Sequence, residues 1–225
     1  VWVGDVKYKD ISGPDGVPDG VIDDYDKTNI GSPMPKFTFG WTNTFRYKNF
    51  DLSVFINGSY GNKVYNYLSM KLTHMNSPWT NQLNAVNGRA QLVPINPNKV
   101  YEDGTMWYND VSNVMVANPG ASIPRATIND PNDNDRISDR YIEDGSYIRL
   151  KNISLGYTFP KKTIDKLGLS NLRIYANIQN LLTITGYDGY DPEIGASTSS
   201  VNVYGLDNGR YPSPTVYSFG LNVSF

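Results

Sequence analysis

The last nine residues, Tyr217-Ser-Phe-Gly-Leu-Asn-Val-Ser-Phe225, alternate without a break. Tyr217, Phe219, Leu221, Val223 and Phe225 are apolar, while Ser218, Gly220, Asn222 and Ser224 are small or polar. A period of two puts these sets on opposite faces of one strand, one greasy and one wet. Aromatics on a lipid side and small polar groups on a lumen side suit the closing strand of an outer-membrane barrel. The soluble alternative is a sandwich strand with a single buried face.

Composition agrees with the barrel. Aromatic residues make up 13% of the 225 residues, with 17 Tyr, 20 Gly and 14 Pro, yet mean hydropathy is −0.45. An aromatic girdle, a polar lumen and long wet loops combine to give such a mixture. A net charge of −2 without a basic stripe argues against nucleic acid as a partner. Cysteine is absent, so disulfides and thiolate metal sites are excluded. No run of 18 apolar residues occurs, which excludes a transmembrane helix but leaves strands that need only alternate. The chain begins at Val1 without an initiator Met or leader segment, so a piece of a longer polypeptide is expected.

Four more strands follow from the same periodicity. Phe37, Phe39, Trp41, Phe45 and Tyr47 share one face of Lys36–Lys48, with Asn43 the polar intruder. A corner at 47–50 leads to a strand in which Leu52, Val54, Ile56 and Tyr60 alternate with Ser53, Asn57 and Ser59, Phe55 being the exception. These two form a hairpin. In Tyr147–Phe159 the apolar phase slips between Leu150 and Ile153, which predicts a β-bulge near Lys151-Asn152. Pro160–Leu169 reads as a helical turn. Leu172–Thr183 is the fourth strand, with Leu172, Ile174, Ala176 and Ile178 outward and Arg173, Tyr175, Asn177 and Gln179 inward.

The connections sort by length: long (1–35), short (47–50), long (61–140), short (160–171), long (184–213). Barrels of the outer membrane pair short periplasmic turns with longer extracellular loops. The fold expected is therefore all-β, about five C-terminal antiparallel strands of a large transmembrane β-barrel. Its parts are a 1–35 extracellular Asp/Gly loop, a 36–61 hairpin and a 62–140 extracellular loop or small subdomain. Two strands with a periplasmic turn (141–183), an extracellular loop (184–213) and the terminal strand (214–225) complete it. Five strands cannot close a transmembrane barrel, and open edges in lipid cost several kcal/mol per unpaired group. The rest of the wall must come from elsewhere.

Several stretches resemble the barrel of the SusC/RagA family of TonB-dependent outer-membrane transporters. They are Gly4-Asp-Val-Lys-Tyr-Lys-Asp10, Ile30-Gly-Ser-Pro-Met-Pro-Lys-Phe37, Asn49–Phe55, Tyr141–Tyr157, Asn177-Ile-Gln-Asn-Leu-Leu-Thr183, Gly189-Tyr-Asp-Pro-Glu193 and Gly209-Arg-Tyr-Pro212. The resemblance implies a 22-stranded plugged barrel in the outer membrane. It also implies a SusD-like surface lipoprotein as lid, and glycan or peptide import driven by TonB through a plug outside this sequence. The rival functions are a passive porin, a surface adhesin barrel and a soluble glycan-binding module.

Candidate chemistry is sparse. Asp10, Ser12, Asp15, Asp19 and Asp26 lie in an Asp/Gly loop that offers hard oxygen ligands for calcium, although a Pro-Asp-Gly-Val-Pro insertion departs from the spacing common in the family. The plain alternative is a solvated turn. Asp188, Asp191 and Glu193 invite a paired-carboxylate reading, but Asp191-Pro192 fits a turn better, and no enzyme is expected. His74, the only histidine, is expected at the surface, and Asn129–Arg136 as a solvated acidic loop or a second ion site. Trp79, Trp107, Tyr108, Tyr187 and Tyr190 fall in the long loops, where they would stack on a sugar, meet a lid protein or pack locally.

Overall fold

A computed structural model describes residues 1–194 and 203–225. These gather into two compact units, Val1–Ile30 with Tyr67–Tyr141, and Gly31–Asn66 with Ile142–Phe225.

The second unit is built on a five-stranded antiparallel sheet. Its strands are β1 (Phe37–Tyr47), β2 (Phe50–Tyr60), β3 (Tyr147–Thr158), β4 (Asn171–Thr185) and β5 (Val216–Ser224), each hydrogen-bonded to the next in chain order. This meander is what the alternating sequences dictate, since each strand can bury one face only. The register assigns the faces. Trp41 pairs with Ile56, Phe45 with Leu52, Leu52 with Leu155, Leu155 with Ala176 and Ala176 with Phe219. One face is thus apolar from edge to edge, and in this unit it lies uncovered; Phe219 is 84% exposed. The opposite face carries Thr44, Ser53, Ser154, Asn177 and Ser218 in register. An exposed apolar face of this extent marks a membrane or protein contact.

Phe55 breaks the alternation because it fills a gap on the polar face. Gly40 has no side chain, and a Cβ there would stand 3.3 Å from the Phe55 ring. Across the sheet, Phe39 covers Gly58, where a Cβ would approach the ring to 2.5 Å. An aromatic ring laid over a cross-strand glycine restores the contact that glycine forfeits.

The bulge stands where the phase slip predicted it. Asn152 pairs with Phe55 and Leu150 with Ile56, leaving Lys151 as the extra residue. The irregularity continues into β4, where Leu182 and Gln179 are the partners of Leu150 and Asn152. Asn180 there takes a left-handed φ of 52°, a conformation asparagine tolerates. Its side-chain amide donates to the Pro214 carbonyl at 3.0 Å.

At the long-loop end a small three-stranded sheet joins Ile142–Asp144, Lys63–Asn66 and Leu206–Asp207. At the opposite end the turns are short: Lys48-Asn49, and a helical turn (Lys161–Ile164, then Asp165–Leu167) closed by Gly168 at φ 68°.

Within the first unit, the segment expected as a loop or small subdomain has its own core. Helix α1 (Tyr67–Thr73), a two-stranded ladder of Leu92–Pro94 with Val114–Val116, and a bridge from Arg89 to Ile123 surround buried Met70, Ala90, Val114, Ile123 and Tyr141. The N-terminal stretch belongs to this unit. Arg125 Nε donates to Asp5 Oδ1 at 2.8 Å, and the Arg125 N–H donates to the Gly4 carbonyl at 2.9 Å.

Candidate functional site

Arg149 is the hub of the polar face. It lies on β3 just before the bulge and is only 3% exposed. Its Nε donates to Thr183 Oγ1 at 2.8 Å, one terminal nitrogen to Glu193 Oε2 at 2.6 Å, and the other to Asp191. Lys151, the extra residue of the bulge, follows two positions on. Its Nζ reaches the same Glu193 oxygen at 2.7 Å. Asp191 also accepts the N–H groups of Glu193 and Ser213, both at 2.9 Å. Burial works to raise the Asp191 carboxyl, but Arg149 and these two amides outweigh it and hold the group at about 2. A carboxylate so firmly ionised and saturated cannot serve as a general acid. The Asp191-Pro192 turn is a clamp that draws the loop after β4 over the polar face of the sheet.

The same loop is fastened a second time. Tyr187 is 5% exposed and its hydroxyl donates to Asp207 at 2.5 Å. Asp207 also accepts from the N–H groups of Gly209 and Arg210. Burial, then the Asp207 carboxylate, push the Tyr187 phenol well above its ordinary value. Of the roles open to Tyr187, local packing is the one these contacts describe: its ring covers Gly189 and its hydroxyl is bonded inside the loop. Tyr190 is exposed and free to make outward contacts.

In the other unit Trp79 stands 92% exposed. Trp107 and Tyr108 pack edge to face, with ring centres 5.7 Å apart, which is local packing for Trp107, while Tyr108 keeps an exposed flank.

The Asp/Gly loop is held by its own carboxylates. Asp26 Oδ1 accepts from the N–H groups of Ile11 at 2.7 Å and Ser12 at 3.2 Å, and its Oδ2 from that of Asp23 at 3.0 Å. These amides draw the Asp26 carboxyl below its ordinary value. Asp10 Oδ2 accepts from Gly20 N–H at 2.6 Å, and Asp19 Oδ1 from Val21 N–H at 2.9 Å. Asp10 Oδ1 is buried with no hydrogen-bond partner. Asp10, Asp19 and Asp26 thus shape one turn system; Asp15 is exposed, and Ser12 Oγ contacts only the Gly13 carbonyl.

The solvated-loop reading fails in the 129–136 segment. Asp130, Asn132 and Asn134 are buried rather than solvated, Asn134 being 1% exposed. Asn134 Oδ1 accepts from Val6 N–H and from Asn132 Nδ2, both at 2.8 Å. His74 is not a surface residue: its side chain is 9% exposed and wedged between two acids. The signal for this burial was the carboxylate–amide rhythm of Asp130, Asn132 and Asn134, which suits mutual bonding as well as solvation. For Arg149 the signal was a lone arginine inside a strand, opposite Asn57 and Thr183.

No protein-family model matches the chain. Among curated proteins it is 36% identical over 211 residues to TonB-dependent receptor P3 of Formosa agariphila, covering 92% of this chain and 18% of that protein. It is 33% identical to TonB-dependent receptor P26 of the same organism over 99% of the chain, and 29% identical to TonB-dependent receptor SusC of Bacteroides thetaiotaomicron over 92%. The chain thus spans about a fifth of the length of these relatives. Structures of the RagAB peptide importer in its closed-closed and open-open states superpose with TM-scores of 0.60 and 0.59 at 19% and 20% identity. They cover 95% and 94% of this chain and 20% of each importer chain. Sheet, strand order and relatives agree, and the chain belongs to the SusC/RagA family of TonB-dependent outer-membrane receptors, as part of the barrel.

Proposed function

We propose that this chain forms a sector of the wall and two loop systems of a TonB-dependent importer of oligosaccharides or peptides in the outer membrane. One observation carries the reading: a five-stranded sheet has one broad apolar face, with Asn43 its polar exception, and its polar face is lined by a loop fastened at Arg149. The apolar face meets lipid, and the free edges of β1 and β5 pair with further strands of the same polypeptide, closing a multi-pass barrel. The long loops lie outside the cell, where a SusD-like lipoprotein covers them, and TonB acts on a plug beyond these residues. Trp79, Tyr108 and Tyr190 are the exposed aromatics offered to substrate or lid. Calcium at the Asp/Gly loop would use the unpartnered Asp10 Oδ1 as its first ligand, with Asp19 and Asp26 beside it. Nothing in this reading needs an enzyme.

The test is deletion of the complete gene in its own host, followed by growth on defined oligosaccharides and peptides as sole nutrients. Loss of growth on one class, restored by the wild-type protein but not by one with an inactivated TonB-contacting segment, supports active import. Unchanged growth on every class tested, with the protein shown to be expressed in the parent, overturns it.

A further inference from the structure

His74, Asp130 and Asp135 each offer a ligand atom, and all three lie within 4.8 Å of one another. They come from distant parts of one unit, His74 just past the end of α1 and the acids from the 130–135 turn. Nε2 of the ring stands 2.8 Å from Asp130 Oδ2, and Nδ1 stands 3.2 Å from Asp135 Oδ2. Each ring nitrogen thus faces a carboxylate oxygen, and an imidazole nitrogen beside two carboxylates is a donor set that one divalent ion takes together. Arg125 pairs with Asp5 and Arg136 with Asp133.

The first ligand is held in place before any ion arrives. The Asn134 N–H donates to Asp130 Oδ2 at 2.5 Å and the Asn134 side-chain amide to Asp130 Oδ1 at 2.7 Å. Outer hydrogen bonds of this kind fix a ligating carboxylate. Asp135 is partly exposed, with Oδ2 3.2 Å from the second ring nitrogen, and one rotation of its carboxylate toward the nitrogen that Asp130 faces completes the set. One imidazole and two carboxylates form a borderline donor set, which suits Zn²⁺, Co²⁺ or Mn²⁺ better than Ca²⁺. We propose that His74, Asp130 and Asp135 bind a single first-row divalent transition-metal ion, which clips the end of α1 to the 130–135 turn. The span it closes is 56 residues between His74 and Asp130, and clips across long spans give the largest loss of unfolded-state freedom. The site is independent of the importer reading and of calcium at the Asp/Gly loop.

The experiment uses the whole receptor, purified in detergent, stripped with chelator and titrated with Co²⁺. Expected are visible ligand-field bands that saturate near one equivalent and vanish on adding Zn²⁺. His74→Gln, which keeps a polar side chain, should lose that equivalent, while Asp10→Asn with Asp26→Asn should retain it. Absence of the bands from the wild-type receptor overturns the proposal without appeal to any variant. So does a His74→Gln receptor that binds as much Co²⁺ as wild type.

Discussion

Replacing Arg149 with Met removes the cation on which the loop clamp converges. Arg149 is buried and contacts Thr183, Asp191 and Glu193. The thioether keeps most of the packing, so the change isolates charge and hydrogen bonding. Glu193 retains Lys151, but Asp191 is left as a buried carboxylate with two backbone amides and no counter-ion. Stranding one partner of a buried ion pair costs about 3–5 kcal/mol. The loss falls on local opening of the loop rather than on the sheet, because β3 and β4 keep their ladder. At 1.4 kcal/mol per factor of ten, opening should become roughly 10²–10³-fold more frequent. Hydrogen exchange reads this directly at the amides of Glu193 and Ser213, whose protons point at Asp191. Measured on the whole receptor, both should exchange at least 100-fold faster in Arg149→Met, with strand amides of β1 and β2 unchanged. Acceleration below ten-fold would refute the clamp, and equal acceleration everywhere would show that Arg149 stabilises the sheet itself.

Leu221→Arg puts a charge on the lipid face opposite Ile174, at about 2–4 kcal/mol near mid-bilayer, whereas Asn222→Arg joins the polar face. Heat-modifiable mobility in outer-membrane fractions should fall for the first only, and equal behaviour would mean the faces are misassigned. Tyr187→Phe should cost about 1–3 kcal/mol by leaving Asp207 short of a donor, seen as faster protease nicking after β4; an unchanged rate counts against the second fastening. The Asp191 carboxyl is depressed, so its stabilisation is complete above the ordinary carboxylate value and is lost as pH falls through about 2. That is about 2–3 kcal/mol released between roughly pH 4 and 2, and a loop whose pepsin sensitivity, corrected for enzyme activity, stays flat across that window contradicts it. Gly156→Val should push a side chain into the Asp51–Arg173 pair, which crosses this glycine, at about 1–3 kcal/mol, lowering the denaturation midpoint; an unaltered midpoint would show that the pair shifts aside freely.

What was legible in the sequence was whatever a period of two can encode. Strand limits, faces and the Lys151 bulge follow from where apolar residues recur, and Leu150 against Ile153 was enough to place the extra residue. The family was readable because its motifs run through strands and their exits in order. Burial inside the loops was not legible. Asp130, Asn132 and Asn134 look hydrophilic, and only the arrival of Val6 and Asp5 from more than 120 residues away removes them from water. His74 was misplaced for the same reason, since its partners are acids far along the chain. Long-range polar pairing leaves no periodic trace, whereas a lipid-facing strand writes its environment into every second residue.

The loop fastened to Arg149 makes this sector of wall two layers deep, an outer layer of strands and an inner lining of irregular chain. Strand number sets the diameter of the outer layer, but the free cross-section belongs to the lining. Clearance and chemistry on the inside can therefore be rewritten by substitutions at 186–194 and 203–213 while the hydrogen-bonded frame stays as it is. Size exclusion and structural integrity become separate problems, solved by different residues, and a lineage can retune the one without endangering the other.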